Sequence, residues 1–246
     1  ARDMQDAAKA AGIIADVVVD VDVIKRSGVL AGAPALALAQ QVDKMPNLKF
    51  RGILAYDGGV QHVTGYQKRK ETALKNYEPI VKTYEMMKAA GLNLEIFSGG
   101  GTGTYDIMTG VPGFTDVQVG SYVFMDRQYI EIGGAQNETV FDDFAPSLTV
   151  MTTIVNNNYP GRLVTDSGSK ALTLNQPTAF VIGEPDFKYN AGSDEYGSIT
   201  FEKSSKSYKV GDKREVIVPH CDPVVNLYDF MYAIRKEKVE SVLPIL

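Results

Sequence analysis

A chain of 246 residues with 44% hydrophobic content can bury one large core or two modest ones, so a globular fold is expected. Twenty-five basic residues face thirty acidic ones, for a net charge of −5, and no basic run occurs; a nucleic-acid or anionic-membrane surface therefore has little electrostatic basis. Cys221 is the only cysteine, which excludes an internal disulfide, no stretch approaches a membrane-spanning helix, and the amino terminus lacks the charged-then-apolar plan of a secretory signal. Small-molecule ligands in a reducing cytoplasm are the expected setting.

In chain order, residues 13–20 read as a strand, 34–42 as a helix and 50–55 as a strand. A long helix follows, with Leu74, Tyr77, Val81, Tyr84 and Met87 forming one apolar stripe and Gly91 capping its end. Residues 94–98 and the region around 116–118 then read as further strands. This βαβα order predicts a parallel sheet. After Asp126 the helical period disappears, and 149–155, 178–182, 198–201 and 215–218 read as short strands separated by Gly, Pro, Asn and Ser. Two domains are expected, 1–128 and 129–246, with the polar stretch 133–139 as a connection.

Parallel α/β units carry their chemistry just beyond the strand ends, and these ends are polar or glycine-rich. Ser98-Gly99-Gly100-Gly101-Thr102-Gly103-Thr104 lets backbone amides approach an anion and adds hydroxyls, while Gly120-Ser121 offers a second donor loop, so the two could clasp one phosphate. No Lys follows the glycines and Gly-x-Gly-x-x-Gly is not met, which disfavours ATP and dinucleotides. A pair of ordinary tight turns is the alternative reading. Tyr56 and His62 place an aromatic ring and an imidazole on one loop, suited to holding a flat cofactor and moving a proton near neutral pH; Arg26 could neutralise a phosphate or touch a ring nitrogen. In Val218-Pro219-His220-Cys221-Asp222-Pro223, an extended backbone would put His220 and Asp222 on one face, converging on a divalent cation, with Cys221 opposite. The competing account is a strand-end His beside a helix-capping Asp.

Together, Arg26-Ser27-Gly28-Val29, residues 51–58 with Gln61-His62, Ser98 to Thr102, Gly120-Ser121-Tyr122-Val123-Phe124-Met125-Asp126 and Pro219-His220-Cys221-Asp222-Pro223 with Asn226-Leu227-Tyr228-Asp229 resemble the D-threonine aldolase and D-serine dehydratase family, in order across essentially the whole chain. The Cys221-Asp222-Pro223 sequence is especially similar to 3-hydroxyaspartate aldolases. The resemblance implies an α/β plus β fold: strands five to eight of an alanine-racemase-like (β/α)8 barrel, followed by a mostly antiparallel β domain. It implies pyridoxal 5'-phosphate held by Arg26, Tyr56, Gly100, Gly101, Thr102, Gly120, Ser121 and Tyr122, a divalent metal on His220 and Asp222, and His62 as the catalytic base. The reaction implied is cleavage of a D-3-hydroxy amino acid to glycine and an aldehyde, by a homodimer acting on a small amino acid.

The same resemblance places the Schiff-base lysine at the end of the family's first strand, outside this chain; neither Lys25 nor Lys170 takes its position. The chain reads as a fragment of a protein of about 380 residues by analogy, whose open barrel edge and uncovered helix faces should associate. A dehydratase of D-serine or 3-hydroxyaspartate is the runner-up. Those enzymes favour His-x-Cys as the metal pair, whereas Asp222 occupies that position here, and a carboxylate prefers magnesium or manganese over zinc. A non-catalytic cofactor carrier or inert relative is the reading from another class.

Overall fold

The computed structural model describes residues 1–204 and 206–246, and the chain divides into two units: Ala1–Gly120 with Ile132–Thr139, and Ser121–Glu131 with Val140–Leu246. The chain first crosses between the units after residue 120 and returns once. Hydrogen bonds explain this. Arg127 and Gln128 amides donate to the carbonyls of Val218 and Pro219 in the second unit, whereas Ile132 accepts from the Gly65 amide in the first.

The first unit runs α1 (Arg2–Ala10), β1 (Ala15–Asp22), β2 (Val29–Leu30), α2 (Ala33–Asp43), β3 (Leu48–Ala55), α3 (Tyr66–Ala89), β4 (Ile96–Gly99), α4 (Tyr105–Met108) and β5 (Asp116–Val117). Among the described residues these strands form one parallel sheet in the order β2-β1-β3-β4-β5. Alternation decides its faces. Ala15, Val17, Val19 and Val21 of β1 join the apolar core with Ala35, Ala39, Tyr77 and Ile80 of the helices, while Asp16, Asp20 and Asp22 take the intervening positions. Arg51 of β3 bonds Asp16 at 3.0 Å and pairs with Glu95. Short β2 partly covers the edge of β1, pairing Val29 with Val21 and Leu30 with Asp22, so the edge expected to be bare is shielded at that end.

Helix α3 buries Ala73, Tyr77, Ile80, Tyr84 and Met87. The expected stripe was therefore rotated: Leu74 is 41% exposed, because an apolar residue also stands one position before it and before Val81, and the sheet takes that row. Gly91 has φ +75° just past the helix, as its capping role requires. Leu74, Tyr77, Val81, Val111 and Pro112 line a shallow apolar cavity of about 310 Å3.

The second unit contains α5 (Arg127–Ile130), β6 (Thr149–Tyr159), β7 (Arg162–Thr165), α6 (Ser169–Leu172), β8 (Phe180–Val181), β9 (Lys188–Asn190), β10 (Gly197–Thr200), β11 (Lys213–Ile217), α7 (Cys221–Val225), β12 (Phe230–Arg235) and β13 (Lys238–Pro244). Helix does not vanish after Asp126, since among the described residues three single-turn helices punctuate the β region. Among the described residues, an antiparallel sheet has the order β8-β11-β6-β7-β10-β9, and β12 pairs with β13 as a separate hairpin. In β6, Val150, Thr152 and Ile154 point into a core with Leu163, Val181, Tyr189, Ile199 and Val216, while Met151 faces out. No helix among the described residues is long and apolar enough to cross a membrane.

Candidate active-site residues

In the first unit the glycine-rich turn after β4 is built from within. The Gly100 amide donates to the Tyr77 hydroxyl (3.2 Å), Gly101 to Thr104 Oγ1 (3.1 Å) and Gly103 to Gln61 Oε1 (3.0 Å). The expectation that amides of this run turn toward an anion therefore needs correcting for Gly100 and Gly101: their N–H groups have internal acceptors. What the glycines supply is close approach. A Cβ on Gly101 would lie 2.8 Å from Gln61 Oε1 and 3.3 Å from the Tyr56 hydroxyl, and Gly100 has φ +62°. Thr102 is buried in the same turn.

Two buried polar groups that sequence reasoning did not single out hold this turn. Gln61 Nε2 donates to the Asp57 carbonyl (2.9 Å) and to Thr104 Oγ1 (3.1 Å), tying the loop after β3 to the loop after β4. Arg69, wholly inaccessible, donates Nε to Gly103 O (2.7 Å), Nη1 to Val63 O and Ile132 O (both 2.9 Å) and Nη2 to Gly133 O (2.6 Å). A signal for Gln61 existed, since it lies in a quoted motif; nothing marked Arg69 beyond its place on the inner row of α3.

The half-buried Tyr56 ring lies under Arg26, whose guanidinium carbon is 4.9 Å from the ring centroid. Asp22 Oδ1 accepts the Arg26 amide at 3.1 Å and fixes that loop. His62 is exposed on the loop between β3 and α3. Tyr56 thus neighbours both Arg26 and Gly101, while Gly120 ends the segment after β5 with nothing within 4 Å of where a Cβ would stand; Lys25 stands in a positive-φ conformation beside Arg26 in sequence.

In the second unit the centre is Asp126, which caps α5. Its Oδ1 accepts the Tyr129 amide (2.9 Å), and its Oδ2 accepts the Cys221 amide (2.9 Å) and lies 2.8 Å from His220 Nδ1. Burial works against this carboxylate, but the hydrogen bonds from His220, Tyr129 and Cys221 outweigh it and hold its carboxyl below the usual range. The same contact with Asp126 raises the His220 imidazole, against its partial burial. Asp222 Oδ2 is 3.4 Å from His220 Nε2.

His220 is extended, with φ −144° and ψ 128°, but α7 begins at Cys221, so the segment does not continue as a strand and Cys221 does not alternate away. Its thiol donates to Asp222 Oδ1 at 3.4 Å, bonds the Ser121 hydroxyl, and is pushed up by burial, so it stays protonated. His220 and Asp222 nevertheless come together at the start of α7, with His220 at the N-cap and Asp222 in the first turn. Their separation is compatible with two donors to one ion at metal–ligand bond lengths of about 2.0–2.2 Å. Tyr122 is exposed, its ring 5.4 Å from that of Phe144, and Lys170 is paired with Glu195 at 2.5 Å.

A parallel βα sheet with ligand-type residues at its strand ends, followed by an antiparallel β unit, defines the alanine-racemase-like class. The chain belongs to the family of the alanine racemase N-terminal domain, which matches residues 1–128, and residues 147–234 match the putative serine dehydratase domain. It is similar to a 3-hydroxy-D-aspartate aldolase of Paracoccus denitrificans (strain Pd 1222), with 32% identity over 99% of this chain and 63% of the relative. Against a D-threonine aldolase of an Arthrobacter species, identity is 34% over 94% of this chain and 60% of that one. The chain therefore spans somewhat over half the length of these relatives. The crystal structure of D-threonine aldolase from Filomicrobium marinum superposes with a TM-score of 0.91 at 30% identity, covering 99% of this chain and 66% of that one.

Proposed function

We propose that the protein containing this chain is a pyridoxal-phosphate and divalent-metal-dependent aldolase that cleaves D-3-hydroxy amino acids, of the 3-hydroxyaspartate or threonine type, to glycine and an aldehyde. The observation that carries the reading is the pair formed by His220 Nε2 and Asp222, 3.4 Å apart, in a chain about one-third identical to two such aldolases. The alanine-racemase-like family implies pyridoxal phosphate, which supplies an electron sink for the bond between Cα and Cβ.

Each residue has a stated part. Arg26 and Tyr56 orient the cofactor ring; Gly101 leaves space beside Tyr56; Gly100, Thr102, Gly120, Ser121 and Tyr122 line the phosphate side. His220 and Asp222 would hold magnesium or manganese, whose chemistry is to acidify a bound hydroxyl. His62, exposed on its loop, accepts the proton of the substrate 3-hydroxyl. A carboxylate at Asp222, where a thiolate would favour zinc, favours the hard cations. The lysine that carries the cofactor is supplied by residues outside these 246, and the enzyme works as a homodimer in the cytoplasm.

The test is product analysis from D-threonine and D-3-hydroxyaspartate with the protein that contains this chain, loaded with pyridoxal phosphate and manganese. Glycine and an aldehyde support the reading. A 2-oxo acid with ammonia would instead assign a dehydratase, the activity named by the domain matching 147–234. No product with the cofactor bound would make it a carrier.

A further inference from the structure

We infer that Asp126 is a positioning residue that sets the tautomer of His220, keeping the ring proton on Nδ1 so that Nε2 is presented as a lone pair beside Asp222. The inference deepens the metal site proposed above and rests on it. Asp126 is fully buried, and its two oxygens already take the amides of Tyr129 and Cys221 at 2.9 Å each. An anion so held accepts a third hydrogen bond and does not donate one, so the 2.8 Å contact with Nδ1 requires the hydrogen on the ring. With Nδ1 protonated, the neutral ring can ligate only through Nε2, the nitrogen 3.4 Å from Asp222 Oδ2.

Asp126, His220 and Cys221 also bring three potential ligand atoms within 4.8 Å of one another. An ion on that side would have to break the bonds Asp126 makes to Tyr129, Cys221 and His220 and would meet a thiol that is itself a donor to Asp222. Asp222, 70% exposed in its side chain, has no comparable anchoring. The geometry points to Asp126 as the orienting carboxylate behind the ligand, and to Asp222 as the ligand beside it.

The chain has two histidines, so 15N-histidine labelling resolves each ring, with His62→Gln identifying the other signal. In the metal-free chain, at a pH where the ring is neutral, His220 is expected to carry its proton on Nδ1; a proton on Nε2 overturns the inference and needs no folded variant. Manganese binding, followed by the electron paramagnetic resonance of the free ion, is expected to weaken about 10- to 100-fold in Asp126→Asn. That amide can donate to Nδ1 and release the tautomer. Unchanged affinity and unchanged tautomer in a folded Asp126→Asn would also overturn it. If His220→Ala and Asp222→Ala leave manganese binding intact, the metal site itself is wrong, a failure separable from that of Asp126.

Discussion

The hydroxyl of Tyr77, from the middle of α3, accepts the amide of Gly100 at 3.2 Å and donates to the carbonyl of Ala55 at 2.6 Å, so one helix side chain joins the ends of two neighbouring strands. Tyr77→Phe leaves a buried amide and a buried carbonyl without this partner. The expected loss is about 1–3 kcal/mol in denaturant unfolding, read against circular dichroism that stays native.

The same tyrosine gives a pH signature. Burial raises its hydroxyl from 10 to about 12. The folded state then binds more protons than the unfolded state between those values, so its contribution is whole below pH 10 and is lost as pH climbs toward 12. Tyr189 shifts in the same direction through burial, so the quantity to measure is the difference between wild type and Tyr77→Phe. The variant should show a shallower fall in stability over that interval; an identical fall would remove Tyr77 from the account.

Glycines 101 and 120 should behave oppositely. Gly101→Ala drives a methyl to 2.8 Å from Gln61 Oε1, a buried amide engaged by Gly103 and Thr104, and is expected to cost about 1–3 kcal/mol. A Cβ on Gly120 meets nothing within 4 Å, and Gly120→Ala should stay within about 0.5 kcal/mol of wild type. Thermal unfolding of the pair decides it, and equal melting temperatures would contradict the packing described for the turn.

Arg69 is predicted to be intolerant of replacement. Arg69→Leu preserves bulk but strips a donor from each of the carbonyls of Val63, Gly103, Ile132 and Gly133, and a loss of about 3 kcal/mol or more is expected. Hydrogen exchange should quicken in the loop that bears His62 and in the glycine turn, ahead of the sheet.

The parallel sheet was legible because valine alternation in β1 and the long amphipathic α3 are strong local periodicities. The hairpin of β12 and β13 escaped notice for an equally local reason. Its turn puts Lys236 and Glu237 at φ +49° and +63°, a geometry usually advertised by Asn-Gly. At the site, His220 and Asp222 lie two residues apart and could be read together. Asp126 could not, since it meets His220 across 94 residues and its only local mark is that of a helix cap. The internal partner of Gly100 was equally hidden, because a hydroxyl from α3 belongs to tertiary packing, whereas that of Gly101 stands three positions along the same turn and shows only once the turn is folded.

Gly52 decides which way the end of β3 is turned. At φ +141°, with a would-be Cβ 1.9 Å from the Ile96 carbonyl, it admits no other residue, and beside it the pairing of β1 with β3 slips by one. Before the slip Leu48 and Phe50 are buried; after it Ile53 and Ala55 are, and Leu54 and Tyr56 fall on the half-buried positions. Strict two-residue counting from Phe50 would instead have sent Leu54 and Tyr56 into the helix layer. The orientation of the tyrosine beneath Arg26 is thus inherited from one supernumerary residue, Arg51, five places upstream, and excising it would invert the phase of everything that follows on that strand.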